Sequence, residues 1–167
     1  MTAKTYMKSV LLASLVLISL GGFLLHLRIH PPLEHSYNFI PYVAGLLGML
    51  LVPCLLSSRK TLDAGYILNG LLVIVGTITM AHFSFTHWPK TTTFQTVLCQ
   101  TTLADILILG AKLFIGKAVY DLETHGVDPN LPQPGTWWRY PCLGWWLIHL
   151  AVISAVYALG HCLWRCL

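Results

Sequence analysis

Apolar residues form five long runs along the chain, separated by shorter segments that contain prolines or charges. The runs cover residues 7–27, 39–56, 65–83, 96–119 and 141–163. A helix needs about 20 mostly apolar residues to cross a bilayer, and each run is close to that length. The pattern predicts an all-α integral membrane protein, in which residues 1–167 form one membrane domain that is a bundle of five transmembrane helices.

The composition supports this prediction and removes several classes of protein. Hydrophobic residues make up 56% of the 167 residues, and charged residues make up 10%. A soluble domain usually carries about 25% charged residues and under about 50% apolar residues, so a soluble or disordered chain is excluded. The net charge is +4, but the ten cations are scattered and form no basic stripe. Nucleic acid is therefore not an expected partner.

The first run resembles a signal peptide at its start, because Lys4 and Lys8 precede it. A signal peptide, however, has an apolar core of about 7–15 residues and a cleavage site of the A-x-A type. The first run is longer than such a core, and no A-x-A site follows it. We therefore predict that it is retained as the first helix.

The distribution of lysine and arginine predicts an orientation, because these residues favour cytoplasmic segments. If the N-terminus is inside, six cations fall in inner segments: Lys4, Lys8, Arg59, Lys60, Lys117 and Arg139. Three cations fall in outer segments: Arg28, Lys90 and Arg165. We predict a multi-pass protein of a bacterial-type inner membrane, with a cytoplasmic N-terminus and a periplasmic C-terminus.

The segment 121–140 is the only polar segment of any size, and it contains three prolines, which favour an extended chain over a catalytic domain. Five aromatic residues lie at its end or just beyond it: Trp137, Trp138, Tyr140, Trp145 and Trp146. Such side chains prefer the membrane–water boundary. We predict that they anchor the fifth helix at this boundary, with a ring-stacking ligand site as the alternative.

Histidines are the most informative polar residues of the chain. His26, His82 and His161 lie near the outer ends of the first, third and fifth runs, so three helices deliver an imidazole to a similar depth. Neutral imidazole is a strong ligand for haem iron and for metal ions. We predict that at least two of the three bind one cofactor, most simply haem b. The alternative is that these histidines are tolerated near the headgroup boundary without a ligand.

A two-haem arrangement on the fifth helix is not expected. His149 and His161 are 12 residues apart, which places them about 120° apart around a helix. They cannot both face one column of two haems. One haem near the outer face remains.

Asp105 is a candidate proton-exchanging carboxyl, because an ionisable residue within a membrane span is costly and is functional by default. Thr101, Asp105 and Lys112 share one face of the fourth run, which must therefore point into the bundle or at a partner. The alternative is a structural aspartate together with a lysine that extends to the inner surface. Asn69 and His149 lie at a similar depth to Lys112, so they form a possible second polar cluster with it.

Five cysteines are present without a C-x-x-C motif, so a thiol–disulfide oxidoreductase is not expected. Cys99 is predicted to lie near Cys162 and Cys166 at the outer side, where one disulfide or ordinary buried thiols are both compatible with the sequence. The chain also lacks H-E-x-x-H, P-loop and G-x-S-x-G motifs, which argues against metalloprotease, nucleotide-hydrolysing and serine-hydrolase chemistry.

These observations favour a small membrane subunit of a respiratory or other redox complex over a stand-alone enzyme. Such a subunit would ligate haem b or contact quinone near the outer face, and it would lie in membrane lipid beside other membrane subunits. Two alternatives remain from the sequence. One is a non-catalytic scaffold or assembly subunit, and the other is an oligomeric transporter of metal ions or protons.

Overall fold

The computed structural model describes residues 2–29, 39–86, 102–126 and 137–166, and the regular structure in these ranges is entirely helical. The helices are α1 (Ala3–Ile29), α2 (Phe39–Leu46), α3 (Val52–Ser57), α4 (Leu62–Thr86), α5 (Leu103–Thr124) and α6 (Leu143–Cys166). A π-helical turn, Leu47–Leu51, joins α2 to α3, so the three segments form one apolar rod. The prediction of an all-α protein is confirmed.

Four segments of the described chain are long and apolar enough to cross a membrane: Ala3–Leu27, Phe39–Ser57, Leu62–His82 and Leu143–Trp164. They coincide with the first, second, third and fifth predicted runs. α5 is not among them, because its 22 residues carry five charges: Asp105, Lys112, Lys117, Asp121 and Glu123. Four predicted spans are thus confirmed as helices of sufficient length and hydropathy, and a fifth crossing stays a prediction.

α5 occupies the centre of the helix packing, between α1 and α4. It runs antiparallel to α1, because Lys8 pairs with Glu123 while Gly22 lies against Ile108. As the residue numbers rise along α1, the numbers of the residues that face them on α5 fall by the same amount. This register carries the polar side chains of α1 to matching depths on α5.

α4 and α6 run parallel, and α6 packs mainly against α4. Near their N-terminal ends Tyr66 packs edge-to-face on Trp146, and near their C-terminal ends His82 lies beside Tyr157. The two helices therefore deliver side chains to one end of the bundle in matched pairs, as the prediction for the third and fifth runs requires.

Charged side chains of α5 are buried, while apolar side chains of α6 are exposed. On α5, Lys112, Lys117 and Glu123 are buried, whereas Val152 and Val156 on α6 are 55% and 65% exposed. Exposed apolar side chains together with buried charges suit a bilayer. A charged side chain at the bilayer centre costs on the order of 2.5–3.5 kcal/mol on insertion scales, so charges are sequestered among helices.

The structure corrects the prediction that Trp146 anchors the last helix at the membrane boundary. Trp146 is buried against Gly70, where an added Cβ would lie 2.3 Å from atoms of the indole ring. The missing side chain of Gly70 makes room for the ring in the core. Trp137 and Trp138 are exposed, as a boundary position requires.

Candidate functional site

His82 and His161 lie together where α4 and α6 approach their C-terminal ends, a region we call the histidine end. Their ring centroids are 6.5 Å apart, and the ring planes are nearly perpendicular at 80°. Tyr157, one helical turn before His161, lies on the same face of α6. Its hydroxyl forms a hydrogen bond with Nδ1 of His82, and its ring stacks near that of His161 with centroids 6.4 Å apart.

His26 contacts a different neighbour. Its ring packs against Tyr42 of α2, with centroids 5.2 Å apart. α1 packs mainly on α2 and α5, while α6 packs mainly on α4. These side-chain contacts join two of the three predicted histidine ligands and place the third against another helix.

The other predicted donors add little to the histidine end. Within the part of the chain that the structure describes, no group of three or more His, Cys, Asp and Glu side chains is placed to hold a metal ion. Cys162 is an exposed free thiol. Cys99 and the side chain of Cys166 lie outside the described residues, so the predicted disulfide is not tested.

Asp105 lies in the first turn of the described helix α5 and is half-buried. A carboxylate near a helix N-terminus interacts favourably with the helix dipole. The Asp105 carboxylate makes no hydrogen bond or ion pair with a described residue. Its predicted role in proton exchange is not tested by these contacts, and Thr101 lies outside the described residues.

Lys112 lies at mid-length of α5 and is 6% exposed. Its ammonium is packed against the π-helical turn, because a Cβ added at Gly48 would lie 2.5 Å from Nζ. In the described chain it forms no ion pair with a carboxylate. The alternative in which Lys112 extends to the inner surface is therefore not what the structure shows: glycine at position 48 leaves space for the ammonium inside the bundle.

Two further polar residues surround this lysine. Ser19 of α1 donates a hydrogen bond to the carbonyl oxygen of Gly48 at 3.3 Å, and Asn69 of α4 donates from Nδ2 to the carbonyl oxygen of Lys112 at 2.9 Å. The expected proximity of Asn69 and Lys112 is thus present. His149 instead stacks on Trp145 at 3.9 Å between centroids. π-Helical turns are frequent at functional sites. This turn was not predictable from the sequence, because the run 39–56 contains no charged residue that would mark it.

Glu123 lies near the opposite end of α5 and was not predicted as a site residue. It is 8% exposed, and its carboxylate contacts Lys8 at 3.1 Å, Arg59 at 3.1 Å and Lys4 at 3.5 Å. Burial acts to raise the pKa of Glu123, but the hydrogen bonds from Lys8 and Arg59 and the charges of Lys8 and Lys4 outweigh it. The pKa therefore lies below its ordinary value of 4.5.

Comparison with known proteins adds no functional information. No protein-family model, no curated protein and no solved structure matches this chain.

Proposed function

We propose that the protein is a small membrane subunit of a redox complex and that it binds one haem b through His82 and His161. The observation that carries the proposal is the 6.5 Å separation of the two imidazole rings. Imidazole–metal bonds are about 2 Å long, and the ring centroid lies roughly 1 Å beyond the nitrogen, so two imidazoles on opposite faces of one iron are about 6 Å apart. The observed separation is compatible with that geometry.

A haem suits this pair better than a bare metal ion does. The porphyrin supplies four nitrogen ligands, so two protein ligands complete the coordination of the iron. A structural zinc ion usually takes about four protein ligands. Two imidazoles and one phenol are fewer donors than such a site needs, but two imidazoles would be sufficient to hold a haem iron.

The residues at this end have separate tasks in the proposed site. His82 and His161 would hold the haem iron from two different helices. Tyr157 engages Nδ1 of His82, so Nε2 is the nitrogen assigned to the iron. Such a hydrogen bond to the second ring nitrogen orients a ligating histidine and tunes its basicity. The chemistry that a bound haem would supply here is single-electron transfer.

The proposed surroundings of the subunit follow from its surface. Val152, Val156 and Leu163 form an exposed apolar face on α6, which membrane lipid or another membrane subunit would cover. A quinone dissolved in the bilayer would exchange electrons at the histidine end. We propose that α5 is the fifth crossing, shielded by α1 and α4. The gathering of Lys4, Lys8 and Arg59 at the other end of the bundle supports a cytoplasmic N-terminus.

The proposal is tested by the visible spectrum of the full-length protein, expressed with an ample haem supply and purified in detergent. We expect sharp bands typical of a six-coordinate haem upon reduction, and we expect His82→Ala and His161→Ala to abolish them. His26→Ala is the matched control, because His26 is a histidine near the end of another helix, and it should retain the bands. Tyr157→Phe should retain haem but shift its midpoint potential.

Two results would overturn the proposal. One is a preparation without haem under these conditions, and the other is a loss of haem in His26→Ala as large as in His82→Ala. A haem-free protein that still assembles with a partner would favour the non-catalytic scaffold, for which the exposed face of α6 is the supporting observation.

A further inference from the structure

Three cations contact a single buried carboxylate at the end of the bundle opposite the histidines, and a fourth, Lys60, is exposed next to one of them in the sequence. Lys4 and Lys8 come from the first turns of α1, and Arg59 and Lys60 come from the turn between α3 and α4. Lys4, Lys8 and Arg59 all contact Glu123. We call Lys4, Lys8, Arg59 and Lys60 the basic cluster.

Glu123 neutralises only one of these charges. Of the other two described carboxylates near this end, Asp121 pairs with Lys117, whereas Asp63 accepts a hydrogen bond from the neutral Tyr120 at 2.8 Å and keeps its charge, so the four cations still outnumber Glu123 and Asp63. The basic cluster therefore keeps an excess of positive charge among the described residues. An excess of this kind attracts anions, and it does so most strongly where water is scarce.

The exposed members of the cluster are placed to meet a ligand from outside. The Arg59 side chain is 73% exposed although its Nε donates to Glu123, and the Lys4 side chain is 31% exposed. Lys8 is the most enclosed of the three, because its ammonium also donates to the carbonyl oxygen of Ser57 at 2.6 Å. Lys8 thus holds the cluster together, while Arg59, Lys4 and Lys60 face outward.

The cluster also lies at one end of apolar helices, where a surrounding bilayer would have its lipid headgroups. Its residues lie at or next to the ends of three apolar helices that are long enough to cross a membrane. Tyr6, between Lys4 and Lys8 in the sequence, is 62% exposed, as expected for an aromatic residue at the membrane–water boundary. Exposed apolar side chains, Val10 and Leu17, continue down α1 from this point. A ligand with an anionic head and an apolar tail would match both surfaces.

We infer that the basic cluster binds the phosphate of an anionic phospholipid, with Arg59, Lys4 and Lys60 contacting the headgroup. Arginine is suited to this task, because its planar guanidinium recognises phosphate oxygens in pairs. The inference does not depend on the haem proposal, since it concerns the other end of the bundle and other residues.

The test uses the full-length protein in phosphatidylcholine bilayers that contain a trace of spin-labelled phosphatidylglycerol or spin-labelled phosphatidylcholine. The measured quantity is the association constant of the first lipid relative to the second. We expect selectivity for phosphatidylglycerol, and we expect Arg59→Gln and Lys60→Gln each to reduce it by a factor on the order of five. Equal association of the two lipids would overturn the inference.

Two variants separate a local site from a diffuse charge effect. Arg139→Gln removes an exposed cation that makes no ion pair with Glu123, and it should leave the selectivity unchanged. Glu123→Gln removes the competing carboxylate and should increase the selectivity while it destabilises the fold. If Arg139→Gln reduces selectivity as much as Arg59→Gln does, or if Glu123→Gln fails to raise it, the local site is wrong.

A final arm separates a lipid headgroup from free phosphate. Inorganic phosphate is added at an ionic strength matched with sodium chloride, so that screening is equal in both samples. We expect the two salts to lower the selectivity equally. Stronger displacement of the labelled lipid by inorganic phosphate would show that the soluble anion is the ligand, which would overturn the assignment to lipid.

Discussion

Two buried charges on α5, Lys112 and Glu123, have opposite surroundings. Glu123 contacts three cations, whereas Lys112 has no carboxylate partner among the described residues. The two are 11 residues apart, which places them about 16 Å apart along the axis and within about 20° of each other around it. Both therefore face α1. At the depth of Glu123, α1 provides Lys8, and at the depth of Lys112 it provides Ser19, which is also 11 residues further along.

The difference between the two sites shows that depth decides how a buried charge is compensated. Near the end of the bundle, long cationic side chains from α1 and from the α3–α4 turn can reach Glu123 while their stems stay at the boundary. At mid-depth any compensating carboxylate would itself need to be buried at high cost. There the Lys112 ammonium lies near the Ser19 hydroxyl and the π-helical turn, in the space left by Gly48.

The largest effect is expected from Glu123→Leu. This change leaves Lys8 enclosed without its carboxylate and removes charge-assisted hydrogen bonds from Lys8 and Arg59. We expect a loss of about 3 kcal/mol in the free energy of unfolding, at the lower end of the range for a broken buried pair because Arg59 and Lys4 can turn to the headgroup region. Denaturation with sodium dodecyl sulfate in mixed micelles measures it.

Asp121→Asn is the matched control for this variant. Asp121 is a carboxylate of the same helix end that pairs with Lys117 within one turn of α5. Asp121 contacts one cation in place of three and its side chain is 27% exposed, so we expect a smaller loss, about 1 kcal/mol, although Lys117 is buried. A loss in Asp121→Asn equal to that in Glu123→Leu would mean that position within α5, and not the convergence of three cations, sets the cost.

Lys112→Met tests the other half of the comparison and should have the opposite sign. Methionine keeps most of the side-chain volume but removes a buried charge that has no carboxylate partner in the described chain. Replacing such charges by apolar groups of similar volume is often stabilising, and we expect a gain of about 2 kcal/mol in the free energy of unfolding. A loss of similar size in the same assay would show that the ammonium is well compensated at the π-helical turn.

The alternation of apolar runs was sufficient to predict the four long apolar helices, because length and hydropathy are local properties of the chain. The depth of Lys112 followed in the same way, from its place within a run. The surroundings of its ammonium group were not predictable in this way. They depend on Gly48, 64 residues earlier in the chain, and on a π-helical turn that no periodicity in an apolar run reveals.

The candidate sites were likewise predictable in their depth but not in their neighbours. The matched depth of His82 and His161 was predictable from counting along two runs, but the choice of His161 over His26 as its neighbour depends on which helices pack together. Glu123 was missed because its segment was treated as polar loop. A signal was present, since a carboxylate beyond the fourth run faces the same membrane side as the predicted inner cations Lys4, Lys8 and Arg59.

Gly48→Ala sharpens the account of Lys112 with a smaller effect. The added Cβ would lie 2.5 Å from Nζ but 3.4 Å from Cε of Lys112, so only the ammonium must move. Because Nζ is the end of a flexible side chain, we expect a loss of about 1 kcal/mol. Methionine has no atom at that position, so the loss should nearly vanish in a Lys112→Met background, as a double-mutant cycle would show. Equal losses of unfolding free energy in both backgrounds would show that the effect of Gly48→Ala does not arise from its contact with Lys112.

The smallest effect concerns the dependence of stability on pH at Glu123. Its pKa is lower in the folded protein than its ordinary value of 4.5, because Lys8, Arg59 and Lys4 favour the carboxylate. A group with a lowered folded pKa stabilises the fold above its unfolded pKa, and this contribution is lost as the pH falls through the folded value.

The midpoint of thermal unfolding in micelles should therefore fall as the pH is lowered from about 7 to below about 4. In Glu123→Gln the decrease should be smaller, because the amide cannot take up the proton, and the wild-type and variant midpoints should converge at the acidic end. Parallel curves for the two proteins would place the acid sensitivity in other carboxylates and would contradict the strong compensation described for Glu123.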